Sequence, residues 1–232
     1  MDTVNLGRIF VINLFILIVI SANNISFSQD FDANNTSSFM DAIAKINAAP
    51  EASHKIFITG DISLETPISE AVNLELIGDT TSSEHYNFVL NGNTFTYREN
   101  KISKISDLNI VSNTSGSGFI VNQQDLTIDN ANFTSSAASN TQSSLNNIGG
   151  NLHISESNFT GNKKGMDGGA ISNQGNLETV STDFISNQGR NGGALYLSSG
   201  TANIKEADIL NNYASTYGGA AYVNNSTLTI TD

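Results

Sequence analysis

Between Asn158 and Asp232 the chain repeats itself at intervals of about twenty-five residues. Phe159, Phe184 and Ile209 are spaced by 25, and each is followed three residues later by an asparagine, at Asn162, Asn187 and Asn212. A second motif keeps pace: Gly168-Gly169-Ala170-Ile171 returns as Gly192-Gly193-Ala194-Leu195 and as Gly218-Gly219-Ala220-Ala221. Short alternating segments precede each anchor: Leu126-Thr127-Ile128, Leu152-His153-Ile154, Leu177-Glu178-Thr179, Ala202-Asn203-Ile204 and Leu228-Thr229-Ile230. Within a repeat no window carries a helical period, and the apolar residues alternate as strands require.

A unit this short holds two or three strands of a few residues and cannot close a core alone, so it must stack on copies of itself. One coil of a parallel β-helix per repeat meets that need. Equivalent positions then lie one above another at the strand spacing of roughly 4.8 Å and form columns along the axis. The spacing predicts an inward column of Leu126, Leu152, Leu177, Ala202 and Leu228, and a second of Phe133, Phe159, Phe184 and Ile209. A third, Asn162, Asn187 and Asn212, is expected to link its amides into a ladder. The Gly-Gly pairs are expected at a bend that needs positive φ or close backbone approach.

Earlier in the chain, Ser37 or Ser38 is placed to cap a short helix with Phe39, Ile43 and Ile46 on one face, a lid over the first coil. Less regular strands are expected at His54 to Ile62, Val72 to Ile77, Phe88 to Leu90 and Leu108 to Val111. Together they give seven or eight turns over about 35 to 40 Å. Residues 113 to 118 and 135 to 144 read as polar loops.

Ile9 to Ile20 form an apolar stretch after Arg8, too short for a helix of about twenty residues that spans a bilayer, and match the core of a signal peptide. Small residues at Ser26 and Ser28 place the mature start near Gln29, with Ala22 as a second candidate exit point. The expected organisation is therefore a signal peptide at 1–28, a cap with irregular coils at 29–125, and regular coils at 126–232. The chain stops directly after a strand, and the expectation is a truncated piece of a longer protein.

The paired motifs Phe159-Thr160-Gly161-Asn162 with Gly168-Gly169-Ala170-Ile171, and Phe184-Ile185-Ser186-Asn187 with Gly192-Gly193-Ala194-Leu195, resemble the repeat of the polymorphic outer membrane proteins of chlamydiae. In that family FxxN and GGA(I/L/V) tetrapeptides recur along a β-helical passenger exported as an autotransporter adhesin. The likeness covers Asn158 to Asp232, with Ile209 replacing Phe and Ala221 following GGA in the third copy. With the repeat reading it implies an all-β fold, a right-handed parallel β-helix of the pectin-lyase-like solenoid type, to which the residue pattern at Ser37 to Ile46 adds a short N-terminal capping helix. It also implies a secreted or cell-surface location associated with the outer membrane, and a host or cell-surface protein or glycan as partner. A full-length parent would carry an outer-membrane barrel.

The net charge of −12 argues against nucleic acid or an anionic membrane surface as partner. No cysteine and only three histidines leave thiolate and imidazole metal sites poorly supplied, so no cofactor, metal or catalytic residue is assigned. Asp183 and Asp208 occupy equivalent positions before the anchor residue and are the best carboxylate pair for a rival reading, an enzyme of extracellular polysaccharides. Asn132 and Asn158 in the same column favour a solvated turn face instead. Lys163, Lys164 and Arg190 read as solvated turn charges. Tyr196 and Tyr222 alternate with Leu195, Leu197 and Val223, which puts them on the outer wall one coil apart as a possible ligand wall. The expected function is binding, not catalysis, with an inert structural spacer as the third reading.

Overall fold

The computed structural model describes residues 28–48, 52–70, 73–81, 85–98, 102–113, 119–135, 143–163 and 165–232. The apolar stretch Ile9 to Ile20 and its cleavage region lie outside these residues, as do most of the two polar loops and Lys164. The described chain is a right-handed parallel β-helix of about seven turns with one short helix. Three sheets line it: one of nine strands and two of seven, with every strand pair parallel.

One coil illustrates the path. Asn151–Ser155 lies in the nine-stranded sheet, Asn158–Thr160 in the second sheet and Ile171–Asn173 in the third, and Asn176–Val180 returns to the first one level higher. From the strand Ile102–Ser106 onward, the bend between the first two sheets holds one residue in the left-handed region per coil. Asp107, Asn130, Glu156, Ser181 and Glu206 take φ of 48 to 58° there, and none is glycine. The residues after four of these bends, Leu108, Ala131, Ser157 and Thr182, turn inward and are buried.

The columns form in the expected register. Leu126, Leu152, Leu177, Ala202 and Leu228 are successive partners, as are Phe133, Phe159, Phe184 and Ile209. The rings of Phe133 and Phe159 stack at 4.5 Å and those of Phe159 and Phe184 at 5.4 Å, all fully buried. Each such burial contributes about 1.5–3 kcal/mol, so the phenylalanine column is a principal source of cohesion between coils. A further inward column runs Ile128, Ile154, Thr179, Ile204, and its threonine is as buried as its isoleucines.

The capping helix spans Thr36–Asn47 and buries Phe39, Ala42, Ile43 and Ile46. Its N-cap is Asn35, not Ser37 or Ser38. The Asn35 side chain accepts from Ser38 N–H while the Ser38 hydroxyl accepts from the Asn35 N–H, so Ser38 closes a capping box from inside the first turn. Phe39 meets Phe88 edge to face at 5.3 Å, which seats the helix over the first coils. The segment expected as one strand from His54 to Ile62 is two, Ser53–Ile58 and Ile62–Ser63, because the chain turns a corner of the prism at Thr59 to Asp61.

Candidate functional site

The motif residues are structural. Phe159, Phe184, Asn162 and Asn187 have no exposed surface, while Ile209 and Asn212, in the last coil, are partly covered. Asn162 Nδ2 donates to Asn187 Oδ1 at 2.8 Å, and Asn187 Nδ2 to Asn212 Oδ1 at 3.0 Å. The same amides also reach the phenylalanine carbonyls of the coil below, Phe133 O, Phe159 O and Phe184 O, at 2.7 to 3.0 Å. They therefore satisfy backbone acceptors as well as one another.

In the glycine pairs the two residues do different work. Gly168, Gly192 and Gly218 adopt φ of 68 to 73°. Gly169 and Gly193 are held by proximity: a Cβ on Gly193 would lie 2.0 Å from Gly219 O, and one on Gly169 2.2 Å from Gly193 O. Gly219 sits in the last coil, exposed.

A second buried ladder escaped the sequence reading. Asn122 Nδ2 donates to Asn147 Oδ1 at 2.8 Å, and Asn147 Nδ2 to Asn173 Oδ1 at 2.6 Å, at the ends of the third-sheet strands. Its signal in the sequence is the asparagine two residues after Ile120, Leu145 and Ile171, spaced by 25 and 26.

With the motifs inside, the exposed side chains are those of the outer walls. Leu195 and Leu197 are buried, so Tyr196 between them faces outward as expected. Ala194, although in the tyrosine phase, is buried, because the bend interrupts the alternation there. Tyr196 and Tyr222 are register partners whose rings are parallel within 2° at 5.6 Å, and Tyr217 lies 6.1 Å from Tyr222. Tyr213 and Tyr217 are more than half exposed. Tyr196, Tyr222 and Tyr217 form an aromatic cluster.

Beside it, Arg190 is exposed, as expected, but lies in a strand and not a turn, and it is paired. It lies in the strand Gln188–Asn191, paired with Tyr213–Tyr217, and grips Asp167 through Nε and a terminal nitrogen, each at 2.9 Å. Asp167 Oδ1 also accepts from the Asn191 N–H and side-chain amide. Arg190's hydrogen bonds and charge, with those from Asn191, hold the Asp167 carboxyl below the usual carboxylate range.

The nine-stranded sheet has a shallow outer groove of about 330 Å³ running across several coils. One bank is an exposed polar ladder in which Asn151 donates to Asp125, Asn176 to Asn151, and the Thr201 hydroxyl to Asn176. The other bank includes His153 and Glu178, 3.5 Å apart, with Lys205 3.2 Å from the same carboxylate. Lys205 is the principal cause of a lowered Glu178 pKa.

Asp183 and Asp208 do adjoin, and Asp183 Oδ1 accepts the Asp208 backbone N–H at 2.9 Å. Below Asp183 the column continues as an outer amide ladder, Asn158 donating to Asn132 and Asn132 to Asn109. Among the described residues no three His, Cys, Asp or Glu side chains gather to hold a metal ion. No family model, curated protein or solved structure matches the chain.

Proposed function

We propose that this chain is a secreted, cell-surface adhesin or passenger segment that binds a host or other cell-surface protein or glycan through its lateral wall. Export through the N-terminal signal peptide and association with the outer membrane through an autotransporter barrel in a longer parent belong to the same reading. The single observation that carries it is the tyrosine cluster of Tyr196, Tyr222 and Tyr217 on the outer wall. Clustered, partly exposed aromatics are the side chains that most often anchor recognition. The repeat motifs give such a wall a rigid backing, because their side chains are consumed in packing one coil on the next.

Binding of the purified chain to host cells, compared with Tyr196→Ala/Tyr222→Ala, is the direct test. The expected result is saturable binding that the double substitution weakens while the far-ultraviolet spectrum is unchanged. Turnover of an acidic polysaccharide that disappears in Asp183→Asn/Asp208→Asn would replace this reading with an enzyme.

A further inference from the structure

The outward column of the third sheet runs Asn146, Ser172, Tyr196, Tyr222, and side-chain volume jumps between its second and third members. Tyr222 covers one face of the Tyr196 ring. The opposite face lies on the Ser172 side, where a serine leaves most of a coil's height unfilled. A recess of about 240 Å³ opens there, bounded by Tyr196, Ser172, Asn146, Gln174 and Met166, with Asp167 at its side.

Its chemistry is specific. One wall is an aromatic face, and Met166, 43% exposed, adds an apolar rim. The other walls carry hydroxyl and amide groups. Among the described residues the one formally charged lining group, Asp167, is already matched by the bidentate Arg190 and by Asn191, so these residues present no uncompensated charge. Its volume falls below the roughly 300–1,000 Å³ of pockets for drug-sized ligands, and suits a single six-membered ring. A neutral ligand with an apolar face of C–H groups and a rim of hydroxyls fits these walls.

We propose that the recess beneath Tyr196 binds one neutral hexose residue of a glycan. The sugar's C–H face lies on the Tyr196 ring, and its hydroxyls reach Ser172, Asn146 and Gln174. The site rests on the adhesin reading above and gives that reading its ligand class.

The test uses saturation-transfer NMR on the full chain with the methyl glycosides of glucose, galactose and mannose, and with methyl glycosides of sialic and glucuronic acid as charged comparators. At least one neutral glycoside should receive saturation, and the charged ones little. Tyr196→Ala should weaken binding about tenfold. Ser172→Tyr should abolish it by extending the tyrosine stack one coil into the recess. Because that side chain points outward, its thermal transition should stay near the parent's, and Gln174→Ala gives a second, milder variant with a measurable loss.

The proposal is overturned if no neutral glycoside binds, if Ser172→Tyr binds as the parent does, or if charged sugars bind equally well. Cell binding that persists without competition from neutral glycosides would remove the hexose and leave the adhesin. Loss of the cell binding itself would remove both.

Discussion

Asn162 and Asn187 lie one coil apart with both side chains sealed from solvent, and the amide of the first donates to the carbonyl of the second across 2.8 Å. Asn187 Oδ1 accepts in addition the Asn162 backbone N–H, and its own amide feeds Phe159 O and Asn212 Oδ1. One side chain therefore closes four hydrogen bonds across three levels of the solenoid.

Asn187→Ala is expected to destabilise the chain by about 3 kcal/mol, since buried donors and acceptors left without partners cost about 1–3 kcal/mol each. Urea denaturation followed by circular dichroism measures this. A loss under about 1 kcal/mol would mean that the ladder contributes little net stability.

Thr179 calls for the opposite expectation. It is fully buried between Ile154 and Ile204, and among the described residues its hydroxyl oxygen has no hydrogen-bond partner. Thr179→Val removes that hydroxyl and keeps the shape, so stability should rise by about 1 kcal/mol. A fall in the denaturation midpoint would show that the hydroxyl is satisfied in solution.

Two glycines of neighbouring coils should respond differently. Gly193→Ala drives a Cβ into a backbone carbonyl of the next coil and should cost more than about 2 kcal/mol. Gly161 has φ of +67° but open space around it, and the equivalent positions Ser186 and Asn211 hold φ of 58° and 56°. Gly161→Asn should therefore stay within about 0.5 kcal/mol of the parent. Equal responses in thermal melts would contradict this account of the motif.

The Asp167–Arg190 pair makes a prediction about pH. The folded carboxyl titrates below its unfolded value of about 3.9, so its contribution is fully present above that value and is lost as pH falls through the lower folded pKa. Arg190→Met should move the Asp167 titration, followed by carbon-detected NMR, upward toward the ordinary range. The stability difference between parent and variant should shrink as the medium is acidified. An unmoved titration would mean that Asn191 alone sets the carboxylate's environment.

Binding and stability should separate by residue. Phe159→Leu lowers stability by about 1 kcal/mol or more, and should leave affinity for cells unchanged because the ring never reaches solvent. Tyr217→Ala, at a side chain 63% exposed, should do the reverse. Loss of binding in folded Phe159→Leu would bring the motif itself into the recognition surface.

The solenoid was legible because its period is written in large or invariant residues: the leucine, phenylalanine and asparagine columns were each placed in register from spacing alone. What escaped was written in less distinctive ones. The strand Ile102–Ser106 places serines, Ser103 and Ser106, at buried positions where the pattern calls for apolar residues, and Leu145–Asn147 is too short to show alternation. The Asn122–Asn147–Asn173 ladder was hidden because these asparagines lie among many others whose surface role is equally plausible. At the candidate site, the outward phase of Tyr196 and Tyr222 followed from their neighbours. The recess and the Asp167–Arg190 clasp did not, because they join residues of different coils, 23 apart in the clasp, through a bend whose path the spacing does not specify.

Along the ladder each buried asparagine gives to the asparagine of the coil nearer the C-terminus and takes from the coil before, so every level offers its neighbours the same socket and the same plug. Duplicating or deleting one whole unit in the gene would rejoin a donor to an equivalent acceptor and a ring to an equivalent ring. Length can thus drift by whole coils while each junction stays intact. A slip of a single residue inside a strand would instead turn the inner face toward water. Selection can lengthen or shorten such a protein far more readily than it can shift its phase.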